Sequence, residues 1–375
     1  MTLTLMTLTF LSRPLAALAC AALCAGGLMA VWPQAREAAA IFAAKDDPAV
    51  LSDLQLRRAV KGDPALIDRE IQAALAQGDA DLAQSFVDVA DAQNLPVSAD
   101  LLVKVTDAVA EQRSVAHLAG RFASGFVTGE ADDLASLSGT VTGDLFTFGD
   151  IRDMVREGRR YALGEQADTL VLGLAAVGLA ITAGTYTSVG TVSPARAGLS
   201  LFKGARKSAR LSEGLAHWAR RSTADVIDTD GLRRAVSNVS VTRPGESLGA
   251  LKAAVRTEKA GLLVAAVKDV GRVGEKAGAR AALDVVKVAD NPKELAKAAK
   301  LAESKGSQTR ALLKVLGRGA LLLAAGAFNL ASWLLSALLF LFGILASIKS
   351  LTERITHRLW LRKRERRARQ AVAAA

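Results

Sequence analysis

Apolar residues in this chain gather into three runs, separated by two long stretches in which apolar and polar positions alternate at helical spacing. The first run, 14–32, carries no charge and lies between Arg13 and Arg36. Its 19 residues, at about 1.5 Å each, match a hydrocarbon core of roughly 30 Å. The second, 169–190, sits in a charge-free interval between Asp168 and Arg196. Leu170, Val171, Leu172, Leu174, Val177, Leu179 and Ile181 alternate there with Gly173, Gly178 and Gly184. A helix apolar on every face is one that is buried in a large core or spans a bilayer. This run is read as a transmembrane helix whose glycines let another helix approach closely. The third, 319–348, is 30 residues without a charge between Arg318 and Lys349. As one helix it reaches roughly 45 Å, more than a perpendicular crossing needs. A long tilted helix and a re-entrant pair turning near Asn329–Ser332 both fit. Trp333 falls mid-run and Trp360 beyond it, both as interface anchors.

Between the runs the pattern is helical. Leu51, Leu54, Leu56 and Val60 make one stripe, broken at Gly62-Asp63-Pro64. Leu66, Ile67, Ile71, Ala74 and Leu75 make a second, ended by Gly78. Leu82, Phe86, Val89 and Ala90 make a third, stopped near Asn94–Pro96, and Ser98 precedes a fourth over Leu101, Leu102, Val105 and Val109. Residues 118–149 are rich in Gly, Ser, Thr and Phe and read as a loop or a surface hairpin, after which Asp150 would cap a helix. A helix is expected over Leu211–Arg221, a turn at Thr242–Gly245, and helix again from Ser247 to Lys305 with a break at Asn291–Pro292. Ala and Leu dominate and aromatics are 5%, which favours helix over sheet. The fold class is mainly α: an integral membrane protein with small helical extramembrane domains.

Charge then assigns sides. Residues 36–168 hold 13 Lys/Arg against 23 Asp/Glu, whereas 190–318 hold 25 against 12. Arg196, Lys203, Arg206, Lys207 and Arg210 follow the second run unopposed, and the basic flank of a span faces the cytoplasm. The expected organisation is therefore an anchor or signal segment over 1–35, an acidic helical domain outside the cytoplasm over 36–168, and a transmembrane helix over 169–190. A basic helical cytoplasmic domain over 191–318, a long transmembrane or re-entrant segment over 319–348 and a basic tail over 349–375 complete it. The tail, with nine basic and two acidic residues, conflicts with this scheme, because a third crossing delivers it outside. Composition rich in Ala, Arg and Gly fits the inner membrane of a high-GC bacterium. The five basic residues after the second run are candidates for anionic lipid headgroups, and Gly173, Gly178, Gly184 and Asn329 for packing inside the membrane.

No chemistry emerges. The only cysteines, Cys20 and Cys24, lie within the first run, so neither a disulfide framework nor a cysteine metal site is available. His117, His217 and His357 have no partner at metal-ligand spacing. Phosphate-loop, dinucleotide, nucleophile-elbow and zinc-protease patterns are missing. Asp144, Asp150 and Asp153 read as caps and surface charge. No cofactor is expected. The basic regions lack interleaved aromatics, which makes nucleic acid an unlikely partner. Three functions stay open: a non-enzymatic structural, scaffold or assembly protein binding other envelope proteins; a pore-forming protein acting through 319–348, in an order that resembles pore-forming colicins; or a membrane-tethered enzyme or nucleic-acid binder.

Overall fold

The computed structural model of the chain describes residues 2–112, 153, 156–161, 163–185, 193–226, 228, 230–231, 234, 253, 256, 259–322 and 327–373. Within its helices the side chains at 2–16, 179–185, 327–329, 358, 365, 368, 369 and 371–373 lie outside the description. His117, Asp144, Asp150, the Gly/Phe-rich stretch and the turn at Thr242–Gly245 also fall outside it.

The described helices are α1 (Thr2–Ala43), α2 (Pro48–Gly62), α3 (Leu66–Ala76), α4 (Ala80–Gln93), α5 (Ala99–Gln112), α6 (Thr169–Thr185) and α7 (Ser193–Lys207). After them come α8 (Glu213–Val226), α9 (Gly261–Ala277), α10 (Ala279–Val288), α11 (Pro292–Lys305), α12 (Thr309–Leu316) and α13 (Ala327–Ala373). Among the described residues there is no strand, so the fold is mainly α. The chain forms two compact units, one of residues 1–45 with 323–375 and one of residues 46–322.

The first unit is an antiparallel pair, α1 against α13. Gly27 faces Phe340, and a Cβ added at Gly27 would lie 2.4 Å from the phenyl Cε1. Gly343 faces Cys24, where an added Cβ would meet Sγ at 2.6 Å. Rising numbers on α1 thus meet falling numbers on α13, with a glycine at each close approach. Cys20 and Cys24 are free thiols. Both helices are long and apolar enough to cross a membrane, over Ala17–Ala43 and Leu330–Arg364. Almost nothing of their apolar stretches is buried in the protein. Leu23, Met29, Leu338, Leu339 and Phe342 are all more than 60% exposed, a continuous apolar surface of the kind that marks a membrane or protein contact.

The structure also divides the third apolar run. Gly319, Ala320 and Leu321 are buried in the 46–322 unit, and α13 is described from Ala327 onward. From Ala327 to Ile348 there are 22 residues, about 33 Å of helix at 1.5 Å per residue, the length that one ordinary crossing needs. No turn interrupts the helix at Asn329–Ser332, and it continues through Lys349 into the basic tail.

The second unit runs across the boundaries expected for the acidic domain, the transmembrane helix and the basic domain. One hydrophobic core contains Leu56, Ile71, Phe86 and Leu101 from the acidic segment and Phe202, Leu263, Val285, Leu295 and Leu312 from the basic one. Leu170, Leu172, Leu174, Ala175, Ala176 and Val177 of α6 belong to the same core and are at most 2% exposed. The apolar face-all-round character of α6 reflects burial among other helices. Described residues from 46–112 and 259–322 therefore share one core.

The flanks of α6 show how this is arranged. Asp168 caps the helix, its carboxylate accepting the N–H groups of Leu170 (3.1 Å) and Val171 (3.2 Å). Glu157, 2% exposed, accepts the Asp168 N–H at 3.0 Å. Arg206 of α7 reaches Asp168 at 3.1 Å, and Lys203 reaches the buried Asp153 at 2.7 Å. Basic residues from beyond the apolar run thus pair with acids from before it. Further on, α7 crosses α9 so closely that a Cβ on Gly271 would sit 1.7 Å from the Pro194 carbonyl, and one on Gly198 1.9 Å from that of Val267.

Candidate functional site

The charged groups of the 46–322 unit converge where the acidic and basic segments meet, at the start of α4. Gly78, at φ +68°, takes the left-handed turn that ends α3, a conformation open to glycine at no steric cost. The Asp79 N–H closes the turn on the Ala74 carbonyl at 3.0 Å. Asp79 is then the N-cap of α4, accepting the Leu82 N–H at 3.1 Å, as a short acidic side chain at this position does.

Arg310, near the start of α12, lies opposite. Its Nη1 and Nη2 each donate to Asp79 at 2.8 Å, and its Nε donates to Asp284 of α10 at 2.9 Å. The two-pronged geometry suits a planar guanidinium, and its side chain is only 8% exposed. Arg280 bridges Asp79 and Asp81 at 3.1 Å each. Burial alone would raise the Asp79 carboxyl, but the guanidinium of Arg310, the Leu82 N–H and Arg280 hold it below the usual carboxylate range. Burial likewise opposes the charge on Arg310, and its two carboxylate partners outweigh that and hold it above the ordinary arginine value.

A polar cleft of about 410 Å³ opens beside this network, lined by Asp79, Arg210, Arg280, Asp284, Lys287 and Arg310 among others. Ser212 fixes one wall: its hydroxyl donates to the Ala289 carbonyl at 2.5 Å and its N–H to that of Val286 at 3.0 Å. This holds Arg210 next to the end of α10. Arg210 and Lys287 are exposed and make no side-chain hydrogen bond or ion pair among the described residues.

Other joints between the segments are structural. Ser85 is buried, donates to the Ser307 carbonyl at 2.5 Å and accepts the Ala311 N–H at 2.9 Å, so its hydroxyl is occupied. Lys305 pairs with Asp53 at 2.5 Å. Asn291 and Glu294 form a reciprocal cap on α11, and Arg318 binds the same buried Glu294 at 2.6 Å. Among the described residues no group of three His, Cys, Asp or Glu side chains is placed to hold a metal. His217 and His357 are exposed, and His357 stacks on Trp360 with ring centroids 6.4 Å apart.

The residues singled out from the sequence take different places. Gly173, a candidate for packing inside the membrane, lies against α8 of the same unit, where an added Cβ would lie 2.3 Å from Thr223 Cβ. Gly178 is buried alongside it. Gly184 and Asn329 lie on α6 and α13, their surroundings outside the description. Of the proposed lipid contacts, Lys203 is buried against Asp153, while Arg206 and Lys207 pair with Asp168 and Asp153. Arg196 is half-buried on α7, and Arg210 opens to the cleft. Gly271 and Gly274 are helix-packing positions on α9. Sequence reasoning missed Asp79, Asp284, Arg280 and Arg310 altogether. The one signal was an Asp after a Gly at a helix start, which says nothing of a partner more than 200 residues away. No protein family, curated protein or solved structure matches the chain.

Proposed function

We propose that this chain is a non-catalytic, membrane-anchored assembly protein: a two-helix hairpin embedded in the bilayer, bearing one folded helical domain of residues 46–322. The observation that carries this reading is the contrast in burial. The apolar lengths of α1 and α13 leave Leu18, Leu23, Met29, Leu335, Leu338, Leu339 and Phe342 exposed, whereas the remaining apolar helix, α6, is enclosed by protein. Charge supports an orientation. With 46–322 as one loop far longer than the roughly 60 residues over which loop charge matters, only the hairpin's other end sets the topology. That end carries Arg13 and the strongly basic tail, and it belongs in the cytoplasm. The domain then lies on the opposite face, the periplasmic one in a bacterial inner membrane. The conflict between span count and tail charge disappears once α6 no longer crosses.

Helices capped, ion-paired and closed over a single core, with no metal-holding cluster among the described residues, suit a surface for other envelope proteins. Mass spectrometry of the protein gently released from its own membranes tests this. A reproducible, stoichiometric partner is expected. A homogeneous monomer or homomer would rule out the obligate assembly role and turn attention to permeability of lipid vesicles, the behaviour expected of a pore former.

A further inference from the structure

We propose that the cleft between the start of α4 and the end of α10 binds a phosphate-type dianion, free or as a lipid phosphomonoester headgroup, through Arg210 and Lys287. Some cations of the cleft are already used and others are not. Arg310 spends three donors on Asp79 and Asp284, and Arg280 is bound to Asp79 and Asp81. These pairs build the floor of the cleft and leave no positive charge of their own to spare. Arg210 and Lys287 line the same 410 Å³ space with no carboxylate among the described residues to neutralise them. Four cations thus line the cleft against Asp79 and Asp284, and with Asp81 just beyond the lining the surplus is one to two positive charges, the sign that attracts a phosphate.

Their placement is built by the fold and does not depend on long side chains meeting by chance. Ala209 adopts φ +54°, a left-handed conformation that costs a residue with a Cβ roughly 1–2 kcal/mol. That turn ends α7, with the Arg210 N–H closing on the Ala205 carbonyl at 2.8 Å, and it carries Arg210 over the cleft. The Ser212 bonds to the last turn of α10 then hold it beside Lys287. The competing account is that Lys287 merely complements the α10 dipole and Arg210 that of α7. It explains each cation singly and does not explain why both face one cleft whose other cations are already paired.

The test uses the full chain in nanodiscs of neutral phosphatidylcholine, titrated with inorganic phosphate and followed by calorimetry. A second arm replaces part of the lipid with phosphatidic acid and asks whether it competes with phosphate. Saturable phosphate binding is expected, weakened about tenfold by Arg210→Ala or by Lys287→Ala and abolished by the pair. Lys300→Ala, an equal loss of charge at an exposed site outside the cleft, should leave affinity within about twofold. Competition by phosphatidic acid would make a headgroup the source, and its absence a soluble ligand. Both side chains are exposed, so unchanged circular dichroism will show that the variants still fold. No saturable binding in either arm, or equal losses in the cleft variants and Lys300→Ala, overturns the proposal.

Discussion

Helix α6 and the first half of α13 look alike as strings of residues. Both are rich in Leu and Ala, both contain glycine, and neither carries a charge. In the structure they live in opposite surroundings. Leu170 and Leu174 of α6 are fully buried, with Gly173 against Thr223 and an acidic cap at Asp168, whereas Leu338, Leu339 and Phe342 of α13 are mostly exposed. Hydropathy reports that a helix avoids water. It does not report whether protein or lipid replaces the water. The distinction lies in length and in the ends. Arg206 of α7 meets Asp168 at the start of α6, while α13 runs for 47 residues and ends in a basic helix.

A charge placed in the middle of each helix breaks this comparison most sharply. Ala176→Arg puts an unpaired cation into the closed core of the 46–322 unit and should cost about 4 kcal/mol or more, seen as loss of the cooperative thermal transition in detergent. Leu339→Arg should leave that transition in place and instead reduce membrane insertion, at a cost of roughly 3 kcal/mol in the bilayer. Equal thermal stability of the two variants would erase the difference drawn here.

Glycines sharpen it next. Gly271→Leu drives a side chain into the Pro194 carbonyl, backbone that cannot step aside, and should cost about 3 kcal/mol. Gly204, on α7 with open space where a Cβ would be, provides the contrast. Gly204→Ala should stabilise the domain by about 0.5 kcal/mol. Chemical denaturation of the two variants measures both signs.

The ion network is the smallest of the three. Arg310→Met strands Asp79 and Asp284 and should cost about 2 kcal/mol at pH 7, since the carboxylates are partly solvated. Because Arg310 holds the Asp79 carboxyl below its ordinary value, the stabilisation is complete above an unfolded value of about 3.9. It is lost as pH falls through the folded one. Melting curves from pH 7 to 3 should therefore show the gap between the parent and Arg310→Met closing in the acid range. A gap that widens toward low pH would contradict the ion-pair account.

The sequence made local structure readable where punctuation was strong. Gly62-Asp63-Pro64, Gly78, Asn94 and Asn291-Pro292 each sit at an observed helix end, and the four stripes between 51 and 109 each lie on a helix of their own. Those signals act within a few residues, through φ preferences and missing donors. The long-range arrangement was hidden for a physical reason. Acidic and basic halves can be read as two compartments or as two complementary faces of one fold, and the counts of charge are the same in both. Only the pairing of Asp79 with Arg310, Asp53 with Lys305 and Asp168 with Arg206 separates the two readings, and no local rule relates residues 38 to 252 positions apart. The charged cleft was unreadable for the same reason, being assembled from the ends of α3, α7 and α10 and the start of α12. The third apolar run misled by continuity, since its first residues complete a soluble core and only the rest enters α13.

Sidedness is the most direct test of the central claim. In a chain whose Cys20 and Cys24 are replaced by alanine, single cysteines are placed at Gly62, Lys300 and Arg367, all exposed. Sealed membrane vesicles are then treated with a membrane-impermeant maleimide. The account predicts that Gly62→Cys and Lys300→Cys label from the same side and Arg367→Cys from the other. Labelling of Gly62→Cys and Lys300→Cys from opposite sides would mean that a helix between them crosses the bilayer, and the single folded domain described above would be wrong.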